Sequence, residues 1–309
     1  MNLMERRLQS KNNVDLKSYL HEKRGIVDEA LQACLPEPEG PASDVIKAMR
    51  YSLFAGGKRL RPILCLAGTE SVGGIHTDSL SIACALEFIH TYSLIHDDMP
   101  VMDDDDFRRG KPTGHKVFGD AVALLAGDAL LTEAFRLMAT AHLTVDITPQ
   151  VLLKVIALIS QAAGYRGMVG GQTVDIQSEG KRVDISLLKF IHTHKTGALI
   201  SASVASGAML GPANESQIEA IKTFGHNIGL AFQISDDILD IEGNSETMGK
   251  EAGVDERKGK ITYPSLVGLS ESKRIQSELA DAAVESLQAF DHRAEPLRQI
   301  AMYIIERSE

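Results

Sequence analysis

Tryptophan is absent from this 309-residue chain, and aromatic residues of all kinds make up only 5% of it. Alternating apolar and polar runs and Asn-Gly-type turns, the marks of strands and hairpins, are few. The apolar content comes mainly from Ala, Leu, Ile and Val, much of it at helical spacing, so an all-α fold is expected. Cysteine is scarce: Cys34, Cys65 and Cys84 are odd in number and show no CxxC spacing. They read as buried thiols in a reducing compartment. No apolar run reaches the roughly 18 residues of a membrane span. The best candidate, Ala121 to Leu131, is short and interrupted by Asp128. Residues 1–13 are polar and charged, unlike a secretory signal, and read as a frayed tail. A cytoplasmic protein with no stable membrane insertion is therefore expected.

Positive charge is also in short supply. Lys and Arg number 32 against 42 Asp and Glu, a formal net charge of −10, with a pI of about 5.5. This argues against a nucleic-acid partner, which calls for a basic face. It leaves room for an anionic substrate in a local basic pocket. No composition break, internal repeat or low-complexity tract divides the chain, and 44% of it is hydrophobic, enough for a sizeable core. A single domain over residues 1–309 is expected.

What is present is a series of helices with clear punctuation. A first helix is predicted over 16–35, ended by the breaker Pro36-Glu37-Pro38-Glu39-Gly40-Pro41. Ser43 caps a second that runs to about 55 and stops at Gly56-Gly57; Arg61-Pro62 opens a third. Others are predicted over 77–98, 119–140, 148–172, 184–210, 214–242, 262–290 and 294–306, about ten in all.

Two acidic clusters sit about 130 residues apart. The first is Asp97-Asp98-Met99-Pro100-Val101-Met102-Asp103, followed by Arg108-Arg109-Gly110. His90, Ser93 and Asp97 share one helix face. Asp98 points about 100° away from Asp97. Asp103 would not share that face on a straight helix, but Pro100 supplies a break that could swing it back beside Asp97. The second cluster is Asp236-Asp237-Ile238-Leu239-Asp240. Asp236 and Asp240 lie i, i+4 on one face, with Gln233 nearby, in otherwise apolar helix. Acids set among apolar residues are costly unless paired or metal-bound. Hard carboxylate oxygens beside Lys and Arg suit Mg²⁺ bridged to a phosphate-bearing substrate.

Basic residues complete the pattern. Gly56-Gly57-Lys58-Arg59-Leu60-Arg61-Pro62 places flexible backbone and several cations at a helix junction, where Arg can grip phosphate bidentately. Lys195-Thr196-Gly197 interrupts an apolar helical stretch, and a local distortion there would aim polar groups into a cavity. Lys250 and Lys260 follow the second acidic cluster. His192 and His194 are two apart, do not share a helix face, and do not suggest zinc.

The motifs in order are GGKRLRP, DDx₄D with RRG, Gly170-Gly171-Gln172, KTG, FQxxDDxxD and Gly259-Lys260-Ile261-Thr262-Tyr263-Pro264. From about residue 18 to the C-terminus this resembles the trans-isoprenyl diphosphate synthase family, and within it most the bacterial farnesyl diphosphate synthases. The resemblance implies an isoprenoid synthase fold, a bundle of about ten or more helices around a central cavity. It implies a homodimer and three Mg²⁺ ions, with Mn²⁺ able to substitute. Asp97 and Asp103 would hold two ions and Asp236 the third, with Asp240 in support. Lys58, Arg61, His90 and Arg109 would bind isopentenyl diphosphate. Arg108, Lys195, Gln233, Lys250 and Lys260 would grip the allylic diphosphate, and Thr196, the Lys195 carbonyl and Gln233 would face the developing carbocation. One departure is that the chain ends Arg307-Ser308-Glu309, whereas family members often end in a basic residue that helps close the site.

Tyr92 and Ser93 precede Asp97 by five and four residues, about one helical turn below it. Tyr92 is expected to floor the cavity for a C15 product, while Ser93 leaves room for a C10 primer. A geranylgeranyl or longer-chain synthase is the nearest alternative. A terpene cyclase would have no use for GGKRLRP and His90, and a Ca²⁺-binding structural protein would show EF-hand spacing, which is missing.

Overall fold

A computed structural model of the chain describes residues 15–141, 147–242 and 261–306. The elements are α1 (Leu16–Cys34), α2 (Ser43–Leu53), α3 (Leu60–Ser71), α4 (His76–Asp97), β1 (Phe107–Arg108), β2 (Lys111–Pro112), α5 (Gly114–Phe118), α6 (Asp120–Ala139) and α7 (Pro149–Ala163). They continue with α8 (Met168–Ser178), α9 (Ile185–His192), a π turn (Thr193–Gly197), α10 (Ala198–Met209), α11 (Glu215–Glu242), α12 (Tyr263–Val267), α13 (Leu269–Ser286), a 3₁₀ turn (His292–Ala294) and α14 (Glu295–Glu306). Among the described residues the expected all-α fold is observed, and the antiparallel β1–β2 ribbon is its only sheet. None of the described helices is long and apolar enough to cross a membrane.

Local chemistry sets the helix ends. Asp15 caps α1 by accepting from the Lys17 amide, and Asp184 caps α9 by accepting from the Leu187 amide. Two predicted boundaries are corrected. The helix predicted over 148–172 is two helices, because Gly164 caps α7 and Gly167 takes backbone angles of φ −136° and ψ −120°. A Cβ on Gly167 would lie 2.1 Å from the Ala162 carbonyl oxygen, so the turn depends on its absence. The helix predicted over 262–290 breaks at Gly268 (φ 86°), between α12 and α13. The one predicted over 119–140 is preceded by the separate short α5, with Gly119 (φ 78°) between them. The distortion expected at Lys195-Thr196-Gly197 is the π turn joining α9 to α10. The tail 1–13, Lys250, Lys260 and the Arg307-Ser308-Glu309 terminus lie outside the described residues.

Two large apolar clusters form the core. One surrounds α4 and includes Phe88, Leu130, Ile159 and Leu199; the other surrounds α11 and includes Ile63, Phe224, Ile228 and Leu297. α10 runs between them and is buried along most of its length. Its small residues allow this. A Cβ on Gly207 would sit 1.8 Å from the Cys65 carbonyl oxygen, and one on Gly68 would sit 2.2 Å from that of Val204. α3 and α10 therefore touch backbone to backbone, and the Thr69 hydroxyl reinforces the crossing by donating to the Gly207 carbonyl at 2.9 Å. Gly207→Ala should force the two helices apart and cost on the order of 1–3 kcal/mol or more of stability. Urea unfolding measures it, and a loss below about 0.5 kcal/mol would show that the crossing is not closely packed.

Candidate active site

α4 carries Glu87, His90, Ser93 and Asp97 at spacings that keep them near one face. The helix ends at Asp97, and the chain folds back after Pro100. The Asp103 amide donates to the Asp97 carbonyl at 2.9 Å, and Asp104, at φ 48°, donates to the Met99 carbonyl. The expected return of Asp103 beside Asp97 is present in the backbone.

Asp97 is strongly perturbed. Burial pushes its carboxyl up to about 6; Lys195 opposes this, and Asp103 and Asp98 add to it as like charges. Gln172 Nε2 donates to Asp97 Oδ1 at 3.0 Å and fixes its orientation. Asp98 faces elsewhere, as its helical phase requires. It is buried, and both its oxygens accept from Arg108 Nε, at 2.7 and 2.9 Å. Arg108 is thus held by a protein carboxylate.

The GGKRLRP segment forms the cationic side. Gly56 (φ 103°) and Gly57 (φ 125°) adopt angles closed to other residues, and a Cβ on Gly57 would strike the Arg109 guanidinium at 2.6 Å. Arg109 itself donates to the Gly56 carbonyl. Arg61 is set in the wall, where burial pulls its pKa down to about 10 against the opposing pull of Glu87 and Asp236, and its Nε has no hydrogen-bond partner. His90 is held well below its ordinary pKa by burial and by Arg61 and Arg109, so it is a neutral donor or acceptor. Lys58 is exposed at the rim.

The facing wall comes from α8, the π turn and α11. Thr196 donates its hydroxyl to Gln233 Oε1 at 3.0 Å, and Gln233 Nε2 donates to Asp236 Oδ2 at 3.1 Å. Lys195 donates to Asp175 Oδ2 at 2.5 Å. Burial alone would lower the Lys195 pKa, but Asp175, Asp97 and Asp103 raise it above its ordinary value, so the amine stays charged. Two glycines allow this packing. A Cβ on Gly171 would lie 2.2 Å from the Lys195 amide nitrogen, and one on Gly229 would lie 2.7 Å from the Gly197 Cα. The Gly170-Gly171-Gln172 motif therefore seats α8 against the π turn and aims Gln172 at Asp97.

Asp240 is half-buried one turn beyond Asp236. Asp237 turns inward and accepts from the Tyr263 amide at 2.8 Å. His192 lies 3.7 Å from Asp237, and burial holds it neutral with a pKa of about 4. His194 stacks on Phe190, so the two histidines do not converge, as the spacing predicts. A cavity of about 160 Å³ is lined by Asp175, His192, Lys195, Gln233, Asp236 and Asp237. Charge acts across the site: Arg61 with Asp236, and Lys195 with both Asp97 and Asp103. The two acidic clusters therefore border one cleft.

Tyr92 is 6% exposed, with its ring edge-on to His96 at 5.6 Å. Burial, with a contribution from Asp97, pushes its phenol up to about 12. Ser93 donates its hydroxyl to the His90 carbonyl at 2.9 Å.

Sequence reasoning missed Asp175, Arg59 and Glu87. Asp175 could have been found three residues after Gln172, on the same helix face. Glu87 is an acid in an apolar helix, the signal already read at Asp236.

The fold and this cleft define a prenyltransferase: the chain belongs to the polyprenyl synthetase family, which it matches over residues 43–300. The family acts on isopentenyl and allylic diphosphates and uses divalent metal ions. A geranylgeranyl diphosphate synthase of Cyanophora paradoxa is 47% identical over 297 residues, which is 96% of this chain and 98% of that one. A farnesyl diphosphate synthase of Geobacillus stearothermophilus is 46% identical over 294 residues, 95% of this chain and 98% of that one. Among solved structures, an FPP/GFPP synthase from Zymomonas mobilis superposes with a TM-score of 0.84 at 39% identity, covering 94% of this chain and 99% of that one. The isoprenoid synthase architecture is thereby established, while geranylgeranyl synthases outnumber farnesyl ones among relatives of similar identity.

Among the described residues no group of three or more His, Cys, Asp or Glu could hold a metal by itself. Paired carboxylates with Lys195 and Arg61 nearby do fit a hard divalent cation whose remaining ligands come from a diphosphate. A testable consequence concerns the metal-free protein. A carboxyl whose pKa rises on folding holds its proton longer when folded, so Asp97 lowers stability as pH climbs from about 4 to about 6. Asp97→Asn should therefore stabilise the metal-free protein at pH 7, by on the order of 1–3 kcal/mol, and not at pH 4. Thermal unfolding at the two pH values checks this, and a lower melting temperature for the variant at pH 7 would contradict it.

Proposed function

We propose that this chain is a farnesyl diphosphate synthase. It condenses isopentenyl diphosphate with dimethylallyl and then geranyl diphosphate to give (2E,6E)-farnesyl diphosphate. The observation that carries the C15 length is Tyr92: large, buried, five residues before Asp97, and close enough for that carboxylate to act on its hydroxyl. A geranylgeranyl product is the second reading, favoured by relatives such as that of Cyanophora paradoxa.

Bound Mg²⁺, three ions with Mn²⁺ as a substitute, would be held by Asp97, Asp103 and Asp236 with support from Asp240, and would neutralise charge on the departing diphosphate. The protein's own groups do the rest. Lys195 grips the allylic diphosphate as a fixed positive charge. Arg108, whose Nε and Nη2 are taken by Asp98, offers Nη1. Lys250 and Lys260 are assigned to the same diphosphate on sequence. The allylic C1–O bond breaks and its electron pair leaves with diphosphate, where prepositioned positive charge lowers the barrier. Gln233 is locked between Thr196 and Asp236, so its carbonyl dipole is preset. With the Thr196 hydroxyl and the Lys195 carbonyl it faces the allylic cation.

Isopentenyl diphosphate sits on the opposite side, its diphosphate among Lys58, Arg61, Arg109 and His90. Neutral His90 can hydrogen-bond it without adding charge. The C3=C4 double bond attacks C1 of the cation through C4, forming the new C–C bond. Loss of a proton from C2, taken by the released diphosphate, gives the product. Exclusion of water preserves the cation. A homodimer in the cytoplasm is the expected state.

Chromatography of the dephosphorylated products tests the reading. The wild-type protein should stop at C15. Tyr92→Ala should shift products to C20 and beyond, because the freed volume accepts another C5 unit, and Ser93→Phe should stop synthesis at C10. An unchanged C15 profile in active Tyr92→Ala protein would place the floor elsewhere.

A further inference from the structure

The isopentenyl diphosphate pocket proposed above gathers Lys58 from the loop before α3, Arg61 from the first turn of α3, Arg109 from the β1–β2 turn and His90 from α4. Like charges gathered this way repel, and something must hold them. The sequence motif contains one more cation, Arg59, and the structure turns it inward. Arg59 stands at φ 51°, directly before α3, and is 4% exposed. Its guanidinium makes three bonds of 2.8 Å: Nε to Asp28 of α1, Nη1 to Glu87 of α4, and Nη2 to the Leu53 carbonyl at the end of α2. It staples the loop to three helices.

Glu87 is the deepest of these partners, at 2% exposed. It lies three residues before His90 on the same face of α4, under the proposed diphosphate pocket. One of its oxygens takes Arg59. The other, Oε2, is buried without a hydrogen-bond partner, and so is Arg61 Nε. Glu87 is the strongest opposite charge acting on both Arg61 and Arg109. One buried carboxylate thus carries a saturated bond to the stapling arginine and an unsatisfied oxygen beside the substrate arginines.

We propose that Glu87 is the positioning residue of the homoallylic diphosphate pocket. It fixes the left-handed Arg59 turn with one oxygen and, with the other, serves as the counter-charge that keeps Arg61 and Arg109 converged on the diphosphate. It touches no substrate. Its removal relaxes the spacing of the cations, so it acts on one substrate of the two. This rests on the assignment of Lys58, Arg61 and Arg109 to isopentenyl diphosphate.

The test is steady-state kinetics of Glu87→Gln, with isopentenyl and geranyl diphosphate varied in turn, alongside Arg61→Ala as a control for the pocket itself. Glu87→Gln should raise the KM for isopentenyl diphosphate at least tenfold. The KM for geranyl diphosphate, and the slow Mg²⁺-dependent hydrolysis of geranyl diphosphate without the second substrate, should stay within about twofold. Equal effects on both substrates, or no effect on either, would overturn the proposal. If Arg61→Ala does not raise the KM for isopentenyl diphosphate, the pocket assignment fails. If Arg61→Ala raises it and Glu87→Gln does not, only the role of Glu87 fails. Arg59→Gln/Glu87→Gln removes both buried charges together and serves if the single variant does not fold. It should keep the selective rise in KM, because Arg61 still lacks its counter-charge. A return to the wild-type KM would show that Glu87 does no more than neutralise Arg59.

Discussion

Asp97 is a carboxylate placed where a carboxylate is expensive: half-buried, with two like charges close by. Much of the surrounding structure exists to keep it there. Gln172 holds one oxygen, Lys195 supplies the main opposing charge, and the fold-back after Pro100 keeps Asp103 close. A chain selected for stability alone would place an amide or an apolar residue at this position. The cost is intelligible as preorganisation for a cation and a diphosphate, because the charge waiting in the cleft complements the charge that arrives.

The same constraint explains the glycines. Bringing Lys195 and Thr196 into line with Gln233 requires α8, the π turn and α11 to approach closer than side chains permit, and Gly171 and Gly229 provide that approach. The widened turn at Thr193–Gly197 presents the Lys195 amine and the Thr196 hydroxyl to the cleft from one helical stretch. On the other side, positive φ angles at Gly56, Gly57, Arg59 and Arg109 bend the basic loop against α4. Four positive φ angles thus meet at the basic edge of the cleft, backbone geometry that few residues adopt without strain.

Much of this was legible in the sequence, for identifiable reasons. The helical fold follows from apolar spacing, and the acids of α11 stand out because an apolar helix has no other use for them. The kink at Lys195-Thr196-Gly197 and the return of Asp103 follow from Gly and Pro placed inside helical patterns. The breaks at Gly164–Gly167 and Gly268 escaped notice because apolar periodicity continues across them, and a glycine in a helical run does not say whether it turns the chain or packs against a neighbour. Asp175 and Arg59 were missed because their partners, Lys195 and Glu87, lie 20 and 28 residues away. Contacts that join helices leave no period to read. Product length is a volume at the bottom of a cavity, and overall identity to farnesyl and geranylgeranyl synthases is nearly the same, so it rests on Tyr92 alone.

The central claim is that the two acidic clusters act as one site through divalent metal. Single-turnover release of diphosphate from geranyl and isopentenyl diphosphate, measured against Mg²⁺ concentration in the wild type and in Asp236→Ala, addresses it directly. Release should require Mg²⁺ in the wild type and fall by at least about a thousandfold in the variant, a loss of roughly 4 kcal/mol of transition-state stabilisation, with folding intact by circular dichroism. Near-normal release in Asp236→Ala at saturating Mg²⁺ would contradict the account.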